Sequence, residues 1–368
     1  MSLTGVALWF VLFLFGTVEP SFAREHRNAA APAESDFYQL CDSSFAKWDG
    51  NHDGYLEATE VSALVENPQV RGAEAAALVT IHSHFSQTNE AMSLEQVLAL
   101  AGQRRAEKDY TGTLHHIESV NRTLFLPGEP DLSAIHQGAL GDCYLLAVVG
   151  ALVNRDPQSV RNMIQPLPGG GYVVHFPTGK IVSVSPLTDA ELVMLPGMDS
   201  DHGIWVAILE KAYAEIRQGN RDESNGEIVM PTNSIPRDWL HGGRAPPTIE
   251  QWTGHKAQRM VFQREFGNDT KRAMETLDPL LTKLTSERRL IAAGKEDHLF
   301  AVLDYDHAHQ IVSLFNPHGE TFTPTGTPGP VNGYVTRHGV FEVPLQDFVQ
   351  MFHTFSWETS EPLNSPAQ

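Results

Sequence analysis

Ile135-His136-Gln137-Gly138-Ala139-Leu140-Gly141-Asp142-Cys143-Tyr144-Leu145-Leu146-Ala147 is the stretch on which the fold turns. From residue 144 to residue 153 every position except Gly150 is apolar, the pattern of a helix buried on all sides. Cys143 falls in the first turn of that helix, with Asp142 in the place of an N-cap. The positive end of a helix favours a thiolate, whereas Asp142 opposes one, so a thiol nucleophile here needs a separate base. A cysteine before an apolar helix is ordinarily a core thiol. The neighbours argue otherwise. Gln137 precedes a turn containing Gly138 and Gly141, and its amide is placed to join the Cys143 backbone N–H as an oxyanion donor. Loss of one such donor typically costs about 10²–10³ in turnover.

The base must come from far along the chain, and strand pairing suggests which of the 17 histidines it is. Residues 298–304 and 310–316 read as two strands around a polar turn at 305–309. Pairing Asp304 with Gln310 sets His298 opposite Asn316, on one face of the hairpin. Asn316 can then orient the ring, completing a nucleophile, base and orienter. Upstream, residues 172–175 and 180–184 read as another hairpin. Residues 205–216 read as an amphipathic helix with 205, 208, 209, 212, 213 and 216 facing the core, leaving Glu210 and Lys211 on its solvated side.

Near the N-terminus, Asp49-Gly50-Asn51-His52-Asp53-Gly54-Tyr55-Leu56-Glu57-Ala58-Thr59-Glu60 has the spacing of a calcium loop. Asp49, Asn51 and Asp53 offer side-chain oxygens, Tyr55 a carbonyl, Glu57 a water-bridged ninth position and Glu60 two closing oxygens. Gly54 takes the sharp turn, and Leu56 is set to plug into a neighbouring loop. This segment resembles the EF-hand family. A second loop, aligned from Phe85 to Gln96, lacks the carboxylates to bind metal and is expected to be a structural partner.

Composition narrows the functions available. A formal net charge of −19 repels phosphate backbones and argues against nucleic acid as a partner. Two cysteines, Cys41 and Cys143, exclude a disulfide scaffold and a cysteine-rich zinc module. Residues 5–16 form an apolar run shorter than the roughly 18 residues of a membrane span. With Ser21-Phe22-Ala23 behind it, the run reads as a signal peptide, although no Lys or Arg precedes it. The expected organisation is a signal peptide at 1–23, a linker at 24–35 and an α-helical EF-hand pair at 36–105. A linker at 106–127, a catalytic unit at 128–358 and a tail at 359–368 follow. An exported protein, secreted or periplasmic, is the expectation.

The stretch from Gln137 to Cys143 also resembles the calpain family of cysteine proteases, whose motif is Gln-Gly-x-x-Gly-Asp-Cys-Trp. The resemblance continues through residues 205–213, Gly242-Gly243, Trp252-Thr253-Gly254, His298, Asn316-Pro317 and residues 341–352, the whole larger unit. It implies an α+β, papain-like fold with a helical lobe carrying Cys143 and a β-rich lobe carrying His298 and Asn316. It also implies endopeptidase activity on protein or peptide substrates, with Gln137 as the oxyanion residue. Three positions depart from the family. Tyr144 stands for Trp, Asp297-His298-Leu299 for Gly-His-Ala, and His318 for the Trp that covers the histidine–asparagine hydrogen bond. The last departure is the one argument for an alternative, a catalytically weak calcium-binding protein using the fold as a binding platform.

Overall fold

The computed structural model describes residues 35–88, 91–128, 130–137, 141–195, 203–219, 227–228, 240 and 242–363. The expected signal peptide lies outside them. Helix α1 (Asp36–Trp48) begins at Ser35, whose hydroxyl accepts the Tyr38 N–H at 3.2 Å, and buries Phe37, Cys41, Phe45 and Trp48 along one stripe. The acidic loop follows, then β1 (Tyr55–Leu56), α2 (Ala58–Val65) and α3 (Gly72–Thr88). Strand β2 (Met92–Ser93) and α4 (Leu94–Ala101) complete a second helix–loop–helix unit. The two loops meet in a short antiparallel ribbon, Tyr55 opposite Ser93 and Leu56 opposite Met92.

Residues 106–119, expected within a linker, fold instead as most of α5 (Arg104–Ser119). The reason is a narrow apolar stripe on an otherwise polar helix. Ala106, Tyr110 and Ile117 are buried, and Tyr110 stacks on Phe37 with ring centroids 4.8 Å apart. Ala190 and Met194, from much later in the chain, join the same core.

Helix α6 (Cys143–Arg155) is buried from Cys143 to Val153, as its apolar run predicts. Gly150 interrupts that run because α6 lies directly on Phe315; a Cβ there would stand 2.8 Å from the ring. Helix α7 (Pro157–Met163) leads into a small sheet of β3 (Ile164–Pro166), β4 (Tyr172–His175), β5 (Ile181–Val184) and β6 (Glu227–Ile228), in that order. The β4–β5 hairpin matches the sequence reading. Helices α8 (Glu191–Met194), α9 (Trp205–Gly219) and α10 (Ala245–Thr253) pack around α6 and this sheet.

The larger sheet has six antiparallel strands: β7 (His255–Val261), β8 (Ile291–Lys295), β9 (His298–Asp306), β10 (Ile311–Phe315), β11 (Val340–Pro344) and β12 (Thr354–Pro362). Their order is β11-β10-β9-β8-β12-β7. Alternation sends Ala292, Ala301 and Phe315 toward the core that contains α6. Ile291, Ala293, Val302 and Leu314 go to the other face, against α11 (Phe262–Phe266), α12 (Thr270–Ser286) and α13 (Leu345–Met351). The sheet is therefore two-faced, and β9, paired on both sides by β8 and β10, carries His298 at its first residue.

The β9–β10 register differs from the sequence reading. Asp304 pairs with Ser313 rather than Gln310, and the register shifts by a bulge between Ser313 and Leu314. Continued by one residue, that register sets Asn316 against Phe300 and diagonal to His298. The cause is a later turn than expected. The Asp306 carboxylate accepts the N–H groups of Ala308 and His309 at 2.9 and 3.2 Å, and Gln310 adopts a left-handed φ of 54°. Strand β9 thus runs through Asp306.

Candidate active site

Cys143 is the first residue of α6, and its Sγ lies 3.9 Å from the carbonyl oxygen of Asp297, immediately before His298. His298 Nε2 is 2.8 Å from Asn316 Oδ1. The same Oδ1 accepts the backbone N–H of His318 at 3.1 Å, which fixes the amide with its oxygen toward the ring. An amide oxygen only accepts, so Nε2 carries the ring proton and Nδ1 keeps a lone pair. The diagonal register thus still joins His298 to Asn316, because a diagonal pair on one face is within side-chain reach.

Gln137 is buried, and its backbone N–H donates to the Pro317 carbonyl at 2.6 Å, tying the segment before Cys143 to the residue after Asn316. Residues 138–140 lie outside the described residues. Tyr144, where the related motif has Trp, is buried; its hydroxyl donates to the Leu240 carbonyl at 2.9 Å and contacts Arg217. Arg217 also donates to the Gly242 carbonyl at 2.7 Å, and Gly242 N–H to Gly141 at 2.9 Å. The glycine pair is explained here. A Cβ on Gly243 would stand 2.4 Å from the Tyr144 ring. Cys143, His298 and Gly243 line one cavity of about 360 Å³, with Arg259 and His353 at its wall.

Burial pushes the Cys143 thiol up, with the Asp142 charge adding to it against backbone N–H donors. Burial pulls the His298 ring down, against the favourable Asn316 hydrogen bond. Both shifts favour the neutral forms, a thiol at Cys143 and an uncharged ring at His298.

Two sequence expectations are corrected. Asp142 stands at the N-cap position of α6 but makes no side-chain cap; it is fully buried, with Glu210 as its charged neighbour. Glu210 and Lys211, expected on a solvated face, are 1% and 2% exposed. Helix α9 is covered on nearly all sides, so its polar residues find buried partners. Lys211 Nζ lies 2.7 Å from Glu191, and Glu210 faces Asp142. Among the described residues no other group donates to the Asp142 and Glu210 oxygens. Burial raises Asp142 to about 6, and burial together with the Asp142 charge raises Glu210 well above its ordinary range.

In the acidic loop, the carboxylates bind the loop's own amides. Asp49 Oδ2 accepts from Gly54 at 2.9 Å, and Asp53 Oδ1 accepts from Tyr55 at 2.9 Å. The Asn51 oxygen accepts from Asp53 at 2.9 Å. Glu60 accepts from Gly50, Asn51 and Glu57 at 2.8, 3.1 and 3.0 Å, and Glu57 forms a capping box with it at the start of α2. His52 and Gly54 supply the left-handed turns, with φ of 58° and 86°. The donor set is all oxygen, the chemistry a hard cation takes. Among the described residues, no three His, Cys, Asp or Glu groups are drawn together closely enough to hold one.

The sequence reading missed three features of the site: the Asp142–Glu210 pair, the Arg217 contact with Tyr144, and the stacking of His318 on His298. Only the last had a signal, the histidine in place of Trp. A larger cavity of about 800 Å³ lies elsewhere, lined by Arg71, Arg122, Asp189, Glu191 and Lys211 among others. Four of its charges pair with one another, Arg122 with Asp189 at 2.9 Å and Lys211 with Glu191.

Residues 114–230 match the family model of the calpain family cysteine protease. The match covers less than half of the chain, includes Gln137 and Cys143, and ends before His298 and Asn316. No curated protein matches the chain. Among the described residues, no helix is long and apolar enough to cross a membrane.

Proposed function

We propose that the chain is a calpain-like cysteine endopeptidase with a papain-like cleft between a helical and a β-rich lobe. The observation that carries this reading is the hydrogen bond that holds His298 in the tautomer with Nδ1 unprotonated, at the strand end whose preceding carbonyl meets Cys143. His298 Nδ1 takes the thiol proton while Sγ adds to the peptide carbonyl, and the oxyanion sits between the Gln137 amide and the Cys143 N–H. The tetrahedral intermediate collapses with His298 returning its proton to the leaving amine, leaving a thioester. Water, deprotonated by His298, then hydrolyses the thioester and releases Cys143. Cys143→Ala is expected to abolish cleavage of an unfolded protein substrate with an unchanged thermal transition; retained cleavage would overturn the reading.

In the same proposal the protein is exported after removal of residues 1–23, and the loop from Asp49 to Glu60 is an EF-hand paired with a metal-free partner. Asp49, Asn51, Asp53, Tyr55, Glu57 and Glu60 would hold one Ca²⁺, which supplies an ordering charge at the start of α2. The oxygen-only donors and the Leu56–Met92 ribbon support this. Extracellular sites of this kind commonly bind at roughly 10⁻⁴–10⁻³ M. Calorimetry is expected to show one calcium per chain, lost in Glu60→Gln; two per chain, or none, would refute the assignment.

A further inference from the structure

The ring assigned above as the base has a second imidazole lying flat against it. His318 stacks on His298 with centroids 4.5 Å apart and planes 16° from parallel, while Phe300 meets the His298 ring edge-on at 4.7 Å. The backbone N–H of His318 donates to Asn316 Oδ1, the oxygen that also receives His298 Nε2–H. The backbone of His318 is thus anchored on the oxygen that orients His298, which places the His318 side chain over the base. A carbocyclic aromatic in this position would shield the bond and stay neutral at every pH. An imidazole shields it too, but histidine ordinarily changes charge between about pH 5 and 8.

We propose that His318 is a positioning residue that sets the acidic limit of the Cys143 chemistry: once protonated, it opposes the proton that His298 must take from the thiol. The inference rests on Cys143 and His298 being nucleophile and base. Among the charges that reach His298, His318 opposes its protonated form and Glu320 favours it. Asp297 just before β9, Cys143 and its N-cap residue Asp142 at α6, and His136, which abuts Gly319, stand on the neighbouring segments. Arg259, Glu296 and His353 line the same cavity as His298. Like charges at stacking distance in a half-buried setting repel far more than the same pair in water.

The test is the pH dependence of Cys143 alkylation by iodoacetamide in the full chain, wild type against His318→Phe and His318→Trp. Cys41 does not compete, being buried with its thiol pushed up to about 12. Both variants keep a flat ring on His298. The expected result is an acidic limb about one pH unit lower in both variants, with the alkaline limb unmoved. At pH about 5 the variants then react about tenfold faster than wild type, relative to their own plateaus. Superimposable limbs, or a profile scaled uniformly at all pH values, would overturn the proposal and leave a purely steric lid. Cleavage of a protein substrate is measured in parallel. A shifted alkylation limb without any cleavage would sustain the role of His318 and sink the protease reading instead.

Discussion

At its C-terminal end α6 sets Arg155 2.7 Å from the buried Glu358, which also meets His255 at 2.7 Å and the Leu290 N–H at 3.0 Å. At its N-terminal end, beside Cys143, the buried Asp142 faces another carboxyl, Glu210, and among the described residues their side-chain oxygens have no cation paired with them. One helix thus pairs a buried carboxylate with cations at one end and sets two buried carboxyls against each other at the other. The difference follows position. The Arg155 end joins α6 to β12, whereas the Cys143 end is the one where the proposed function puts a reactive group. Uncompensated polar groups tend to persist where structure serves chemistry.

The largest effect that would break this comparison is at the satisfied end. Arg155→Met strips the main cation from a buried carboxylate and is expected to cost about 3 kcal/mol in urea unfolding. A cost below about 1 kcal/mol would mean that His255 and Leu290 satisfy Glu358 unaided.

A smaller effect sharpens the other end. Asp142 is raised to about 6 and Glu210 is raised as well, so the folded protein binds protons on this pair more tightly than the unfolded chain does, and a single shared proton is the expected arrangement. Their stabilising contribution is complete below the unfolded carboxylate range, near pH 4, and is lost as pH rises through about 6 and beyond. Glu210→Gln replaces the shared proton with an amide donor to Asp142. Between pH 5 and 8 wild type is expected to lose on the order of 2 kcal/mol more than this variant. Parallel stability curves would show that the pair carries no shared proton.

Legibility followed the range of the interaction. The burial of α6, the β4–β5 hairpin and the Leu56–Met92 ribbon rest on local pattern, and residues 143–153, 172–184 and 55–56 carry it visibly. His298 and Asn316 were also legible as partners, but their register was not, because it depends on how Asp306 closes the turn and on a bulge at Ser313. Glu210 and Lys211 were misread for a different reason. Helical periodicity separates an apolar face from a polar one, yet it cannot show that a second layer covers the polar face as well. The helix at residues 106–119 was hidden by its polar composition, since three buried residues were enough to dock it.

The central claim is that Cys143 is a nucleophile made reactive by His298, and a thiol-reactive peptidyl probe tests it most directly. Probe-labelled protein is digested and the modified cysteine mapped by mass spectrometry, in wild type and in His298→Ala. The account predicts label on Cys143 and none on the buried Cys41, with the rate falling by at least about 10² in the variant. Label appearing equally fast in His298→Ala, or failing to reach Cys143 in wild type, would contradict it.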